Sequence, residues 1–141
     1  MGARRTGRER ALQALYQLDM SGGTPQEALD AAWESVSQEM PKPDPNAVAF
    51  ASELVLGVVT HLPEIDTLIE EHSHNWRLER MDRIDRNILR LAVFELRYRD
   101  DIPRKVTLNE AIELGKTFGS EASSAFINGL LDRIAVALGK K

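Results

Sequence analysis

Four arginines fall within the first ten residues, Arg4, Arg5, Arg8 and Arg10, in the opening MGARRTGRERALQALYQLDM. A guanidinium presents a planar fork of donors that matches phosphate oxygens, so arginines clustered this way suit polyanion binding rather than bond-making. The cluster stands against the rest of the chain. The first ten residues carry four arginines and Glu9, a charge of +3; the remainder carries 14 basic and 21 acidic residues, −7, for a net −4. An asymmetry of this kind marks contact with a nucleic acid or a membrane surface. Arginine at a helix start also opposes the helix dipole, by about 0.3–1 kcal/mol per site, and an anionic partner offsets that cost. The competing reading is a solvated or disordered basic start, with Glu9 pairing locally.

The remaining chemistry-bearing residue types do not assemble into a reaction. His72 and His74 are two apart, which does not place both on one helix face, and His61 is remote. No metal site is expected. Glu70-Glu71 and Asp100-Asp101 are adjacent pairs that read as solvated helix ends. Gly22-Gly23 lacks the Lys-Ser/Thr of a phosphate loop. The 141 residues contain no cysteine, which removes disulfides, thiolate metal sites and a thiol nucleophile and suits a reducing cytosol. Neither a catalytic residue nor a cofactor is expected.

The elements that must position the arginines are helical throughout. With 43% apolar and 28% charged residues the composition is that of a globular domain. The polar residues Gln13, Gln17 and Asp19 break any secretory apolar stretch, and no run approaches a membrane span. The spacing predicts a first helix over about 4–20, ending at Gly22-Gly23. A second follows the capping box of Thr24 and Glu27, with Ala28, Leu29, Ala32, Trp33 and Val36 on its face. The proline-broken MPKPDP suggests a subdomain break near 40–46. A third helix starts at Asp44-Pro45 with Val48, Ala51, Leu54, Val55 and Val58 inward, and a fourth starts at Pro63. After a connector near Trp76, the segment IDRNILRLAVFELRYRD is apolar on more than one face and predicts a buried central helix. A second capping box, Thr107 to Glu110, predicts the start of a sixth helix; Gly119 ends it, and Ser120 caps a seventh. The expectation is an all-α fold of about seven helices in one compact domain.

Arg5, Arg8, Leu12 and Tyr16 form one row on the first helix, so Tyr16 belongs either to the core or to a partner; Ala11, Leu15 and Leu18 supply a competing core face. On the last helix, Ile127, Leu130, Leu131, Ile134 and Leu138 form one stripe, and Phe126 falls at its margin. A marginal ring is either rim packing or a platform for an unpaired base.

RRTGRERALQALYQLD, NILRLAVFELRYRDDIPRKV and, most specifically, VTLNEAIELGKTFGSEASSAFINGLLD resemble the NusB family of bacterial transcription antitermination factors. The resemblance spans essentially the whole chain, with least signal over 20–60. It implies two small helical bundles in one domain, and a cytoplasmic protein that is not an enzyme. It further implies binding to single-stranded boxA RNA together with NusE, a small-subunit ribosomal protein, to nucleate an antitermination complex on RNA polymerase. Carried over by position, Arg4, Arg5, Arg8 and Phe126 match RNA-binding positions, with Lys116 and Ser123 as neighbours. Tyr16 and Asp85 match NusE-binding positions, with Glu79 as a weaker one. Asp85 stands where relatives often have the longer Glu, and Ala122 stands where some carry an acidic residue that modulates RNA binding. The alternatives are a helical interaction module or homodimer without an RNA role, or the NusB-like module of a ribosomal RNA methyltransferase. The absence of a Gly-rich strand–helix unit argues against the last.

Overall fold

The structure is a computed structural model, described for residues 2–36, 42–74 and 76–141. Seven α-helices are present in this set: α1 (Ala3–Ser21), α2 (Pro25–Glu34), α3 (Pro45–Thr60), α4 (Leu62–His72), α5 (Arg83–Tyr98), α6 (Arg104–Phe118) and α7 (Ser123–Ala137). A 3₁₀ turn, Leu78–Arg80, precedes α5. No strand occurs among the described residues. No single helix there is long and apolar enough to cross a membrane.

The chain divides into two compact units, Met1–Thr60 and His61–Lys141. The break suggested near 40–46 lies between α2 and α3, inside the first unit, and residues 37–41 of that neighbourhood lie outside the described residues. The reason for the grouping is that α3 packs on α1 and α2 rather than leaving them.

In the first unit, Ala11, Leu12, Ala14 and Leu15 of α1 are buried with Ala28, Leu29 and Ala32 of α2 and Ala47, Phe50, Ala51, Leu54, Val55 and Val58 of α3. Gly7 sets the approach of α1 to α3: a Cβ there would lie 3.0 Å from Cδ2 of Phe50 and 3.1 Å from the Ala47 carbonyl oxygen. Val48, expected inward, is exposed, and Phe50 takes the buried place. The α3 stripe is therefore rotated toward Ala47 and Phe50 by the close α1 contact. The α2 capping box forms as expected. Thr24 Oγ1 accepts from the Glu27 amide at 3.1 Å, and the Thr24 amide donates to the Glu27 carboxylate at 2.9 Å, holding that carboxyl below its ordinary pKa.

In the second unit α5 is the central element. Ile88, Leu89, Leu91, Ala92, Val93, Phe94 and Leu96 are all buried, alongside the polar Asn87 and Glu95. Arg90 reaches Asp66 of α4 with two bonds, 2.9 and 3.0 Å. Thr107 is not a cap. α6 begins three residues earlier, at Arg104, after Pro103. Proline both ends the preceding segment and seeds the new helix, and this leaves Thr107 inside it, where its hydroxyl donates to buried Glu95 at 2.9 Å. Ser120 likewise does not cap α7. The helix starts at Ser123, and the Ser120 amide donates to Ser123 Oγ at 2.9 Å, the reverse of a capping bond.

Candidate nucleic-acid interface

In the first unit the arginines sit on the first turns of α1. Its N-cap is Gly2, which supplies no side-chain acceptor, and the first turn holds no acidic residue. The positive end of the helix is thus reinforced by Arg4 and Arg5, both exposed. Arg8 differs: it is 4% exposed, with its guanidinium carbon 5.3 Å from the centre of the Phe50 ring. Arg4 lies over the same ring at 5.5 Å. Phe50 therefore organises two cations by cation–π attraction, one facing solvent and one inside. Tyr16, two helical turns after Arg8, is 36% exposed and so is not a core residue.

In the second unit a cavity of about 290 Å³ is lined by Trp76, Arg80, Met81, Asp82, Asp85, Ala122 and Phe126. Four local features build it. Ser73, itself buried, donates its hydroxyl to the Trp76 carbonyl at 2.6 Å, and the Trp76 amide returns a bond to Ser73 at 3.1 Å. The 3₁₀ turn places Arg80 and Met81, anchored by the Leu78 amide donating to Glu70 at 3.2 Å. Asp82 caps α5, accepting from the Ile84 amide at 2.7 Å, which sets Asp85 in the first turn. The start of α7 brings Ala122, Ser123 and Phe126. Trp76 and Phe126 meet edge to face, with ring centroids 6.5 Å apart.

The Asp85 carboxyl is pushed above its ordinary pKa, first by burial and then by the nearby Asp82 charge, while a hydrogen bond from Ser123 acts in the opposite direction. Its Oδ1 is buried without a hydrogen-bond partner among the described residues. Ser123 is only 2% exposed, so it holds Asp85 rather than facing a ligand. Lys116 lies elsewhere, exposed in the last turn of α6 and 3.8 Å from Glu113. Glu79 is exposed beside Arg77, at 3.8 Å. Among the described residues, no group of three or more His, Asp or Glu is placed to hold a metal ion.

The NusB family model matches residues 5–136, nearly the whole chain. This chain belongs to the NusB family. It is 71% identical over 140 residues to the transcription antitermination protein NusB of Myxococcus xanthus (strain DK1622), covering 99% of each chain. To the same protein of Sorangium cellulosum (strain So ce56) it is 49% identical, covering 99% of this chain and 96% of the other. Among solved structures, NusB of T. maritima superposes with a TM-score of 0.84 at 36% identity, covering 94% of this chain and 90% of that one. A crystal structure of the antitermination factors NusB and NusE in complex with dsRNA gives a TM-score of 0.85 at 30% identity, covering 96% and 97%. The chain is accordingly a transcription antitermination factor and not an enzyme.

For a NusB protein, the structure sorts the expected site residues by accessibility. Arg4, Arg5, Lys116 and Glu79 are exposed, Tyr16 is at the boundary, Phe126 is half-buried, and Arg8 and Ser123 are inside. Asp85, Ser123 and Phe126, expected at two different surfaces, come together around one cavity. Trp76, Arg80, Met81 and Phe50 were not singled out from sequence as site residues. Trp76 carried a usable signal, a large aromatic in a polar connector with no amphipathic face to join. Phe50 carried none, because its role depends on where α1 crosses α3.

Proposed function

We propose that this NusB protein binds single-stranded boxA-like RNA of ribosomal RNA operons together with NusE, and nucleates an antitermination complex on RNA polymerase in the bacterial cytoplasm. The observation that carries the reading is the likeness, at a TM-score of 0.85, to a NusB solved with NusE and dsRNA. The geometry supports it from both units. Arg4 and Arg5 add two cations to an uncapped helix start, which attracts phosphate through charge and backbone dipole together. Phe126 contributes an aromatic ring to the RNA-facing surface, with Lys116 as a further cation on the same unit. Arg8, covered by Phe50, and Ser123, bonded to Asp85, act as supports that fix these residues. Tyr16 and Glu79 face NusE, and Asp85 contributes its charge from the cavity wall to the same basic partner.

The test is fluorescence anisotropy of labelled boxA RNA against a scrambled RNA, with and without NusE, over a salt series. Selective binding that tightens with NusE is expected. With two or three phosphates contacted, the log–log salt slope should be roughly −1.5 to −2. Indifference to both RNA sequence and NusE would reject the reading.

A further inference from the structure

We propose that the cavity bounded by Trp76, Arg80, Met81 and Phe126 is a single-nucleotide subsite, in which Trp76 is the stacking platform and Arg80 takes the phosphate. The inference rests on the RNA reading above and assigns to it two residues, Trp76 and Arg80, that the arginine-rich start and Phe126 do not include.

The ring geometry decides which aromatic does the stacking. An edge-to-face pair at 6.5 Å and 68° leaves no parallel slot between Trp76 and Phe126, so a base is not sandwiched. Trp76 is 54% exposed, whereas Phe126 is half-buried against it. The open indole face therefore receives the base, and Phe126 braces the indole. Stacking on an indole is indifferent to base identity and needs a platform that does not move. Ser73 supplies that rigidity through its two bonds to the Trp76 backbone.

The cation beside the indole matches a nucleotide rather than an apolar side chain. Arg80 is exposed and makes no ion pair among the described residues, although Asp82 and Asp85 line the same cavity. Its guanidinium is available to a phosphate at the rim. The orientation follows: base inward against Trp76, phosphate outward on Arg80. A cavity of about 290 Å³ accommodates one base and not an extended peptide.

The experiment pairs a boxA RNA series, each member carrying one abasic site, with wild type, Trp76→Ala, Trp76→Phe and Arg80→Ala. One abasic position should cost wild type about tenfold in affinity and cost Trp76→Ala almost nothing. Trp76→Phe should recover much of the loss. Arg80→Ala should make the salt slope shallower by about 0.7, the value of one phosphate on a single strand. Trp33 and Trp76 are the two tryptophans, so Trp33→Phe leaves Trp76 as sole reporter, and its emission should be quenched by RNA. If wild type binds boxA but no abasic position couples to Trp76, the subsite is wrong while the RNA function stands. Emission that responds to NusE and not to RNA would give the surface to the protein partner and overturn the proposal. Failure of wild type to bind RNA would remove both. Circular dichroism melts confirm that each variant is folded, and the wild-type abasic scan with Trp76 emission tests the subsite without any change in the cavity.

Discussion

Arg5 and Arg8 are one helical turn apart and carry the same charge, yet one is exposed and the other buried. Arg8 lies under Phe50 with 4% exposure, so its methylenes and guanidinium are part of the packing. Arg8→Ala should destabilise the protein by about 1–3 kcal/mol in denaturant unfolding. Arg5→Ala should leave unfolding nearly unchanged and make the RNA salt slope shallower by about 0.7. Equal effects of the two changes on stability would contradict the burial. Asp85 offers a second residue-level test. Its folded pKa is raised above its unfolded value, so the fold binds the proton more tightly than the unfolded chain does. Stability from this group therefore falls as pH rises through the window between the two values and stays lower above it. Asp85→Asn should raise the melting midpoint near pH 7, with the gap closing below about pH 3.5, where both states are protonated. A constant gap across that range would show that charge is not the cause.

Among the helices, the most informative contact is between α5 and α6. Thr107 sits inside α6 and donates to Glu95, a carboxylate 2% exposed within the central helix. Thr107→Val keeps the shape and removes the donor, and a loss of about 1–3 kcal/mol in chemical unfolding is expected. A neutral result would mean that the other contacts of Glu95 carry it unaided. The same contact shows why the sequence misplaced the start of α6. Thr107-Leu-Asn-Glu110 has the spacing of a capping box. Pro103, however, begins the helix earlier, and a threonine that would have capped an end instead bonds a buried acidic side chain on a neighbouring helix.

Over the whole molecule the charge is divided: +3 in the first ten residues and −7 in the rest. Opposite fields in one chain let it attract an RNA and a basic protein without the two competing for the same sign of surface. NusE association should therefore slow as ionic strength rises, by stopped-flow measurement, with the rate constant for binding falling more than the dissociation rate climbs. A binding rate indifferent to salt would remove the acidic surface from the encounter.

The sequence by itself determined the helices, most of their ends and the identity of the family. Capping at Thr24, termination at Gly22 and Gly119 and the apolar stripes are short-range features, written within a few residues of where they act. It also gave the arginine start, Phe126 at the edge of its stripe and, through family resemblance, Asp85. Only the tertiary structure decided which of these are open. Burial of Arg8 depends on Phe50, 42 positions away, and on Gly7 letting α1 approach α3. The cavity around Trp76 needs the connector, the start of α5 and the start of α7, three segments separated by up to 50 residues. Periodicity reports which face of a helix is apolar. It does not report which element covers that face, and accessibility at a binding site is set by that covering.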